Sequence, residues 1–267
     1  MIPKVLTPIL LSVAMQTGFS TEIISHRGYS AIAPENTVAS FKLAWERGTD
    51  SCENDIYLTA DGKIAVIHDK DTKRTTGVSL SVPKSTLAEL QALDSGSFKA
   101  EKWKGEKIPS LEEALATMPE GKHRFFVEIK CGPEVVPALT KVYESMRARA
   151  DQLVIITFNH DAAVATKKAM PWVKLYYLAT GKKKDKIHAN DLGALIADAK
   201  ANGFDGLDLG ADWDWSAEMV QRIHDAGLKV YVWTVDDAEK ARKLAGFGID
   251  GITTNDPVAI RGALAKK

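Results

Sequence analysis

The sequence predicts a (β/α)₈ TIM barrel with a small β-hairpin and loop insertion after its second strand. Three observations carry that expectation. Short strand-like runs alternate with amphipathic helical stretches from residue 21 onward. Eight such strands remain once one hairpin arm is set aside. The 267 residues suit one barrel, which takes about 250. The alternation argues for parallel strands joined by crossover helices. Eight units in this length favour closure over an open doubly wound sheet. No Gly-x-Gly-x-x-Gly follows the first strand, which argues against a dinucleotide site.

The first strand is Glu22 to His26. The helix after it starts near Pro34-Glu35-Asn36-Thr37, carries Val38, Phe41 and Trp45 at helical spacing, and ends at Gly48. The second strand is Asp50 to Leu58. The turn Ala60-Asp61-Gly62 then leads into Ile64 to His68, which reads as a hairpin arm because Asp-Gly joins two strand-like runs. Residues 70–108 are polar and loop-rich, with a short helix near 84–94, and Pro109 to Leu115 opens another. The remaining barrel strands are Arg124 to Lys130, Leu153 to Phe158, Val173 to Leu178, Gly206 to Leu209, Lys229 to Val235 and Gly251 to Thr254. Helical stretches at 134–149, 190–202, 215–226 and 237–246 separate them.

Apolar residues make up 45% and charged residues 26%, ordinary for a soluble globular domain. Lys plus Arg number 35 and so do Asp plus Glu, so global charge gives no reason to expect nucleic acid or an anionic membrane as partner. Residues 1–20 hold one cation, Lys4, an apolar run from Val5 to Met15, and Gly18-Phe19-Ser20 as a small-x-small site. They read as a secretory signal peptide, too short to span a bilayer. Residues 21–267 then form the barrel domain of an exported protein; were the segment retained, the protein would be cytoplasmic. Cys52 and Cys131 are too few for a disulfide scaffold or a thiolate metal cage. A disulfide between their strands and a pair of buried thiols are both open readings.

Barrel enzymes carry their chemistry at the C-terminal ends of strands, so polar residues there are the candidates. His26-Arg27-Gly28 ends the first strand and sets an imidazole beside a fixed cation; a solvated surface turn is the plainer reading. Glu53 and Asp55 share one face of the second strand by alternation. On the barrel interior two such carboxylates repel unless a cation lies between them; on a solvent face they would be harmless. Glu128 and Lys130 likewise share a face, as an internal ion pair or as a third metal ligand and a phosphate-binding ammonium. His68-Asp69 ends the hairpin arm. Three carboxylates suit one hard cation, Mg²⁺ or Ca²⁺. Two imidazoles can serve as general base and acid, and Arg27 and Lys130 can hold phosphate oxygens. Phosphoester hydrolysis is the reaction class this set serves.

The stretch from His26-Arg27-Gly28 to Pro34-Glu35-Asn36-Thr37, with Glu53-Asn54-Asp55, Thr59-Ala60-Asp61-Gly62, His68-Asp69 and Val127-Glu128-Ile129-Lys130, resembles the glycerophosphodiester phosphodiesterase family. So do Leu93 to Phe98, Gly105 to Glu113, Val232-Trp233-Thr234-Val235 and Gly248 to Thr254, in order over roughly residues 22 to 260. The resemblance implies hydrolysis of a small glycerophosphodiester to glycerol 3-phosphate and an alcohol. It implies His26 and His68 as the acid–base pair, Glu53, Asp55 and Glu128 as metal ligands, and Arg27 and Lys130 as a phosphate clamp. Trp233 is implied as a wall near the glycerol moiety, with barrel-core packing as its alternative. Glu35 and Asn36 are expected to cap a helix and brace the site. The chain departs from the family pattern at Asn255-Asp256-Pro257, where an aromatic residue is expected before the proline; that departure is expected to leave the acid–base pair untouched. A related barrel phospholipase, of the D type or cleaving inositol lipids, and a non-catalytic phosphodiester-binding protein are the competing readings.

Overall fold

The computed structural model describes residues 21–181 and 191–265. The segment read as a signal peptide lies outside the described residues. Nine strands form the sheet: β1 (Glu22–Ser25), β2 (Ser51–Leu58), β3 (Ile64–Val66), β4 (Arg124–Ile129), β5 (Leu153–Thr157), β6 (Lys174–Ala179), β7 (Gly206–Gly210), β8 (Lys229–Trp233) and β9 (Gly251–Thr254). All but β3 are parallel and run in ring order; β1 pairs with both β9 and β2, which closes an eight-stranded barrel. Strand β3 pairs antiparallel with β2, Ile56 opposite Val66, so it is the hairpin arm the Asp-Gly turn predicts.

The helices that cover the barrel start where short polar side chains take up exposed backbone N–H groups. Thr37, Asn159, Asp191, Ser216 and Asp237 each cap a helix by accepting from the third residue in. Alternation along the strands builds two cores. One face packs against the helices, for example Leu207, Leu209, Val230 and Val232. The other fills the barrel with Ile24, Phe126, Val154, Ile156, Tyr176, Leu178 and Tyr231. At the N-terminal end the lumen is plugged by an ion pair: Arg124 binds Glu22 and donates to the Tyr231 hydroxyl at 2.6 Å, while the Tyr176 and Tyr231 rings stack 4.6 Å apart. Gly251 is required there, because a Cβ would come within 2.6 Å of the Tyr231 ring.

Residues 70–108 form a compact pad whose Val82, Leu90 and Ile108 share a small core with Ala65 and Ile67 of the hairpin arm. It contains the helix Leu87–Gln91 expected near 84–94. Both cysteines are free. Their strands are neighbours, as expected, but Cys52 lies opposite Phe125, while Cys131 follows Ile129, which lies opposite Ile56. At about 3.3 Å per residue, that offset puts the thiols far beyond bridging distance.

Candidate active site

The strand pattern delivers three carboxylates to one point. Asp55 and Glu128 are direct register partners on β2 and β4, and Glu53 sits one inward position below Asp55. Glu53, Asp55 and Glu128 each present one oxygen such that all lie within 4.8 Å of one another. They are 2%, 0% and 9% exposed, so water does little to screen their repulsion. Burial, then Asp55 and Glu128, push the Glu53 carboxyl well above its usual range. Burial and then Asp55 push Glu128 up to about 7, against the pull of Lys130. Burial also works against ionised Asp55, but Arg27, Lys130 and His68 outweigh it and hold its carboxyl below the usual value. The Asn36 amide adds to this by donating to Asp55 Oδ2 at 2.8 Å. Glu53 Oε1 and Asp55 Oδ1 are buried without a hydrogen-bond donor. Orphaned hard oxygens in a tight acidic group fit a divalent cation such as Mg²⁺ or Ca²⁺.

The loop after β1 is wound tightly around this cluster. Arg27 and Asn36 both adopt left-handed backbone, with φ of 55° and 58°, a costly conformation for such residues. The Arg27 N–H donates to Glu53 Oε2 at 2.8 Å, and its carbonyl accepts from the Asn36 N–H at 3.0 Å. Gly28 has φ +76°, and a Cβ there would lie 2.4 Å from Ser40 Oγ. The two cations expected to clamp phosphate are drawn to the acids. Arg27 Nη1 donates to Glu35 Oε1 at 2.9 Å and its Nε faces Asp55 Oδ2 at 3.2 Å. Lys130 Nζ is 2.8 Å from Glu128 Oε1 and 3.5 Å from Asp55 Oδ1.

The imidazoles are each fixed through Nδ1. His26 Nδ1 lies 2.7 Å from Asn255 Oδ1. Asn255 Nδ2 donates to Asp236 Oδ2 at 2.6 Å and Ser30 Oγ donates to Asn255 Oδ1 at 2.9 Å. The amide oxygen therefore faces His26, which sets the proton on Nδ1 and the lone pair on Nε2. This corrects the expectation for Asn255: it touches His26, one of the two candidate acid–base histidines, through a contact between residues 229 apart in the chain. Burial, reinforced by Arg27, lowers the His26 pKa to about 4. His68 Nδ1 is 2.6 Å from Asp69 Oδ1, whose other oxygen accepts from Arg74 Nε at 2.5 Å. Arg74 also grips Glu35 with two bonds of 2.8 Å, so one network joins the two sides of the mouth.

His26, Arg27, Glu53, His68, Glu128, Lys130 and Trp233 line one cavity of about 180 Å³, and Asp55, fully buried, stands beside it in the acid cluster. Trp233 does stand at its wall: the indole N–H donates to the Asp208 carbonyl at 3.0 Å and the ring meets Phe158 edge-on at 5.4 Å. Sequence reasoning missed Asp208, a cavity residue 1% exposed on β7. The signal was present: an acid between Leu207 and Leu209 breaks the strand as Glu128 does between Val127 and Ile129. It also missed the roles of Asn255, Asp69 and Arg74 in holding the histidines, which depend on long-range contacts.

Among proteins of known sequence and structure, the model of the glycerophosphoryl diester phosphodiesterase family matches residues 26–259. A glycerophosphodiester phosphodiesterase of Caldanaerobacter subterraneus subsp. tengcongensis is 32% identical over 249 residues, covering 92% of this chain and 98% of that protein. One of Bacillus subtilis is 29% identical over 255 residues, covering 88% and 83%. The structure of an Oleispira antarctica phosphodiesterase in complex with the product sn-glycerol-3-phosphate superposes with a TM-score of 0.83 at 29% identity, over 92% of this chain and 97% of that one.

Proposed function

Since the chain belongs to the glycerophosphoryl diester phosphodiesterase family and is a phosphoric diester hydrolase, we propose that it cleaves glycerophosphodiesters to glycerol 3-phosphate and an alcohol, with a divalent cation and two histidines. The observation that carries this reading is the convergence, in one cavity, of three carboxylate oxygens within 4.8 Å and of both imidazoles. Glu53, Asp55 and Glu128 would hold the cation, Mg²⁺ or Ca²⁺, and a cation bound there supplies Lewis-acid stabilisation of charge on the phosphoryl oxygens.

The chain's own groups account for the proton movements. His26, neutral at pH 7 with its lone pair on Nε2, takes the proton from the attacking oxygen as an oxygen–phosphorus bond forms, whether that oxygen is water's or a glycerol hydroxyl's whose cyclic phosphate water then opens to glycerol 3-phosphate. His68, whose Nδ1–H is held by Asp69, carries the proton that the leaving alkoxide collects as its bond to phosphorus breaks. Arg27 and Lys130 add positive charge beside the phosphoryl oxygens. The second alcohol leaves through the mouth, where Phe158 is 41% exposed. The related Oleispira antarctica protein binds sn-glycerol-3-phosphate, which supports a small-molecule substrate of that kind. Among the described residues no helix is long and apolar enough to cross a membrane. Export rests on the composition of residues 1–20 alone, and N-terminal sequencing of the mature protein tests it.

Product analysis on a panel of glycerophosphodiesters, with and without chelator, tests the reaction. Glycerol 3-phosphate is expected from every cleaved substrate, and none after chelation. Turnover that survives full metal removal, or release of a different phosphomonoester, overturns the proposal.

A further inference from the structure

We infer that Asp208 recognises the free hydroxyls of the substrate's glycerol unit and so selects polyol phosphates over bare phosphate. The inference rests on the catalytic reading above and extends it to a residue outside the acid cluster and the histidines.

Asp208 occupies an inward position of β7, with Leu178 and Tyr231 as its register partners. Its flanking Leu207 and Leu209 pack outward among the helices. The carboxyl lines the same cavity as the acid cluster, is 1% exposed, and neither oxygen has a hydrogen-bond partner. It does not share in the three-oxygen group. The cations of the cavity are engaged elsewhere, Arg27 with Glu35 and Lys130 with Glu128. A buried carboxyl without partners costs the fold free energy, so its use lies in a partner that comes with the ligand.

The surroundings say what kind. Leu178, Ile156 and Trp233 wall this side of the cavity, and the indole is pinned to Asp208's own carbonyl. An apolar wall with one carboxyl set into it suits a short polyol, with carbon edges against the wall and hydroxyls on the acid. Ionised, the carboxyl accepts two hydroxyl hydrogens; neutral, it accepts one and donates one. The positive charge of Arg27 and Lys130 draws the phosphate to their end of the cavity, which leaves the hydroxyls to Asp208.

The test compares wild type with Asp208→Asn and Asp208→Leu, by calorimetric binding of sn-glycerol 3-phosphate and of inorganic phosphate in the presence of Mg²⁺ or Ca²⁺. Affinity for sn-glycerol 3-phosphate is expected to fall ten- to a hundredfold in the Leu variant, with a smaller loss in Asn. Affinity for inorganic phosphate and for the cation alone should hold, and the melting temperature should stay at or above that of wild type. Equal loss for both phosphates overturns the inference. So does a fall in cation affinity, which would make Asp208 a metal ligand, or a lowered melting temperature with unchanged discrimination, which would make it structural. If wild type binds sn-glycerol 3-phosphate well and the Leu variant does not, yet no glycerophosphodiester is turned over, the catalytic reading fails and the assignment of Asp208 stands.

Discussion

In the proposed mechanism, Asn255 decides which nitrogen of His26 takes the proton. Its amide oxygen holds Nδ1–H at 2.7 Å while Asp236 holds its amide nitrogen, so Nε2 is left to accept a proton. Asn255→Leu removes the acceptor and leaves the ring free to take the wrong tautomer. Kcat is expected to fall roughly 10- to 100-fold, the range for losing an outer-shell partner, with KM little changed. Asn255→Asp keeps an acceptor and adds negative charge beside the imidazole. That favours the protonated ring and raises its pKa from about 4, so the acid limb of the kcat pH profile should move to higher pH. Steady-state kinetics between pH 4 and 9 read both outcomes, and an unshifted limb in the Asp variant would falsify the role given to Nε2. Glu53, Asp55, Glu128 and Lys130 were legible from the sequence because inward positions on a strand repeat every two residues. Asn255 was not, since its partner His26 lies 229 residues away and only the closed barrel brings β9 beside β1.

Of the two candidate imidazoles, His26 directly follows the barrel strand β1, whereas His68 follows a strand outside the barrel. It follows β3, and β3 is held from outside by the pad at residues 70–108, whose core includes Leu90 and Val82, both 0% exposed. The pad also supplies Arg74, which orients Asp69 behind His68. The element therefore positions the proposed proton donor while lying outside the barrel. Leu90→Ala should lower stability by about 2–5 kcal/mol, the usual cost of such a cavity, and loosen the placement of His68. Kcat is expected to drop roughly tenfold, because proton transfer is sensitive to small displacements. Cation affinity should hold, since Glu53, Asp55 and Glu128 come from β2 and β4. Calorimetric cation titration beside kinetics separates the two; a parallel loss of cation binding would show that the pad supports the whole site. The barrel strands were readable from alternation and turn chemistry almost to the residue. Of the pad only its short helix near 84–94 was readable, because the rest of its polar, turn-rich chain has no period and its order comes from tertiary burial of a few apolar side chains.

The two ends of the barrel divide stability and chemistry between them. At the N-terminal end Glu22 and Arg124 are matched and further bonded to tyrosines, an arrangement that needs no ligand. Arg124→Ala leaves the Glu22 carboxylate half-buried without its cation, and should cost about 2 kcal/mol, less than for a fully buried pair because both side chains reach water. Activity per folded molecule should be unchanged. At the C-terminal end the acids are mismatched among themselves, and this would give the proposed cation's effect a definite pH dependence. Glu128 has its carboxyl raised from 4.5 to about 7 in the folded chain, and Glu53 is raised as well. Between 4.5 and about 7 the folded Glu128 holds a proton that the unfolded chain has lost, so its contribution to stability is complete below about pH 4.5 and is lost as pH rises through about 7; Glu53 acts in the same direction. Asp55 has the opposite sign, but its carboxyl is lowered, so its contribution changes only at pH values below its usual range. A cation that binds the ionised acids reverses the loss. The gain in melting temperature on adding saturating Mg²⁺ or Ca²⁺ to chelator-treated protein should therefore be small at pH 5 and grow steadily to pH 8. Scanning calorimetry at fixed ionic strength measures it. A gain that is flat with pH would mean that the cation does not displace protons from Glu53 and Glu128, and would place its binding away from these carboxylates.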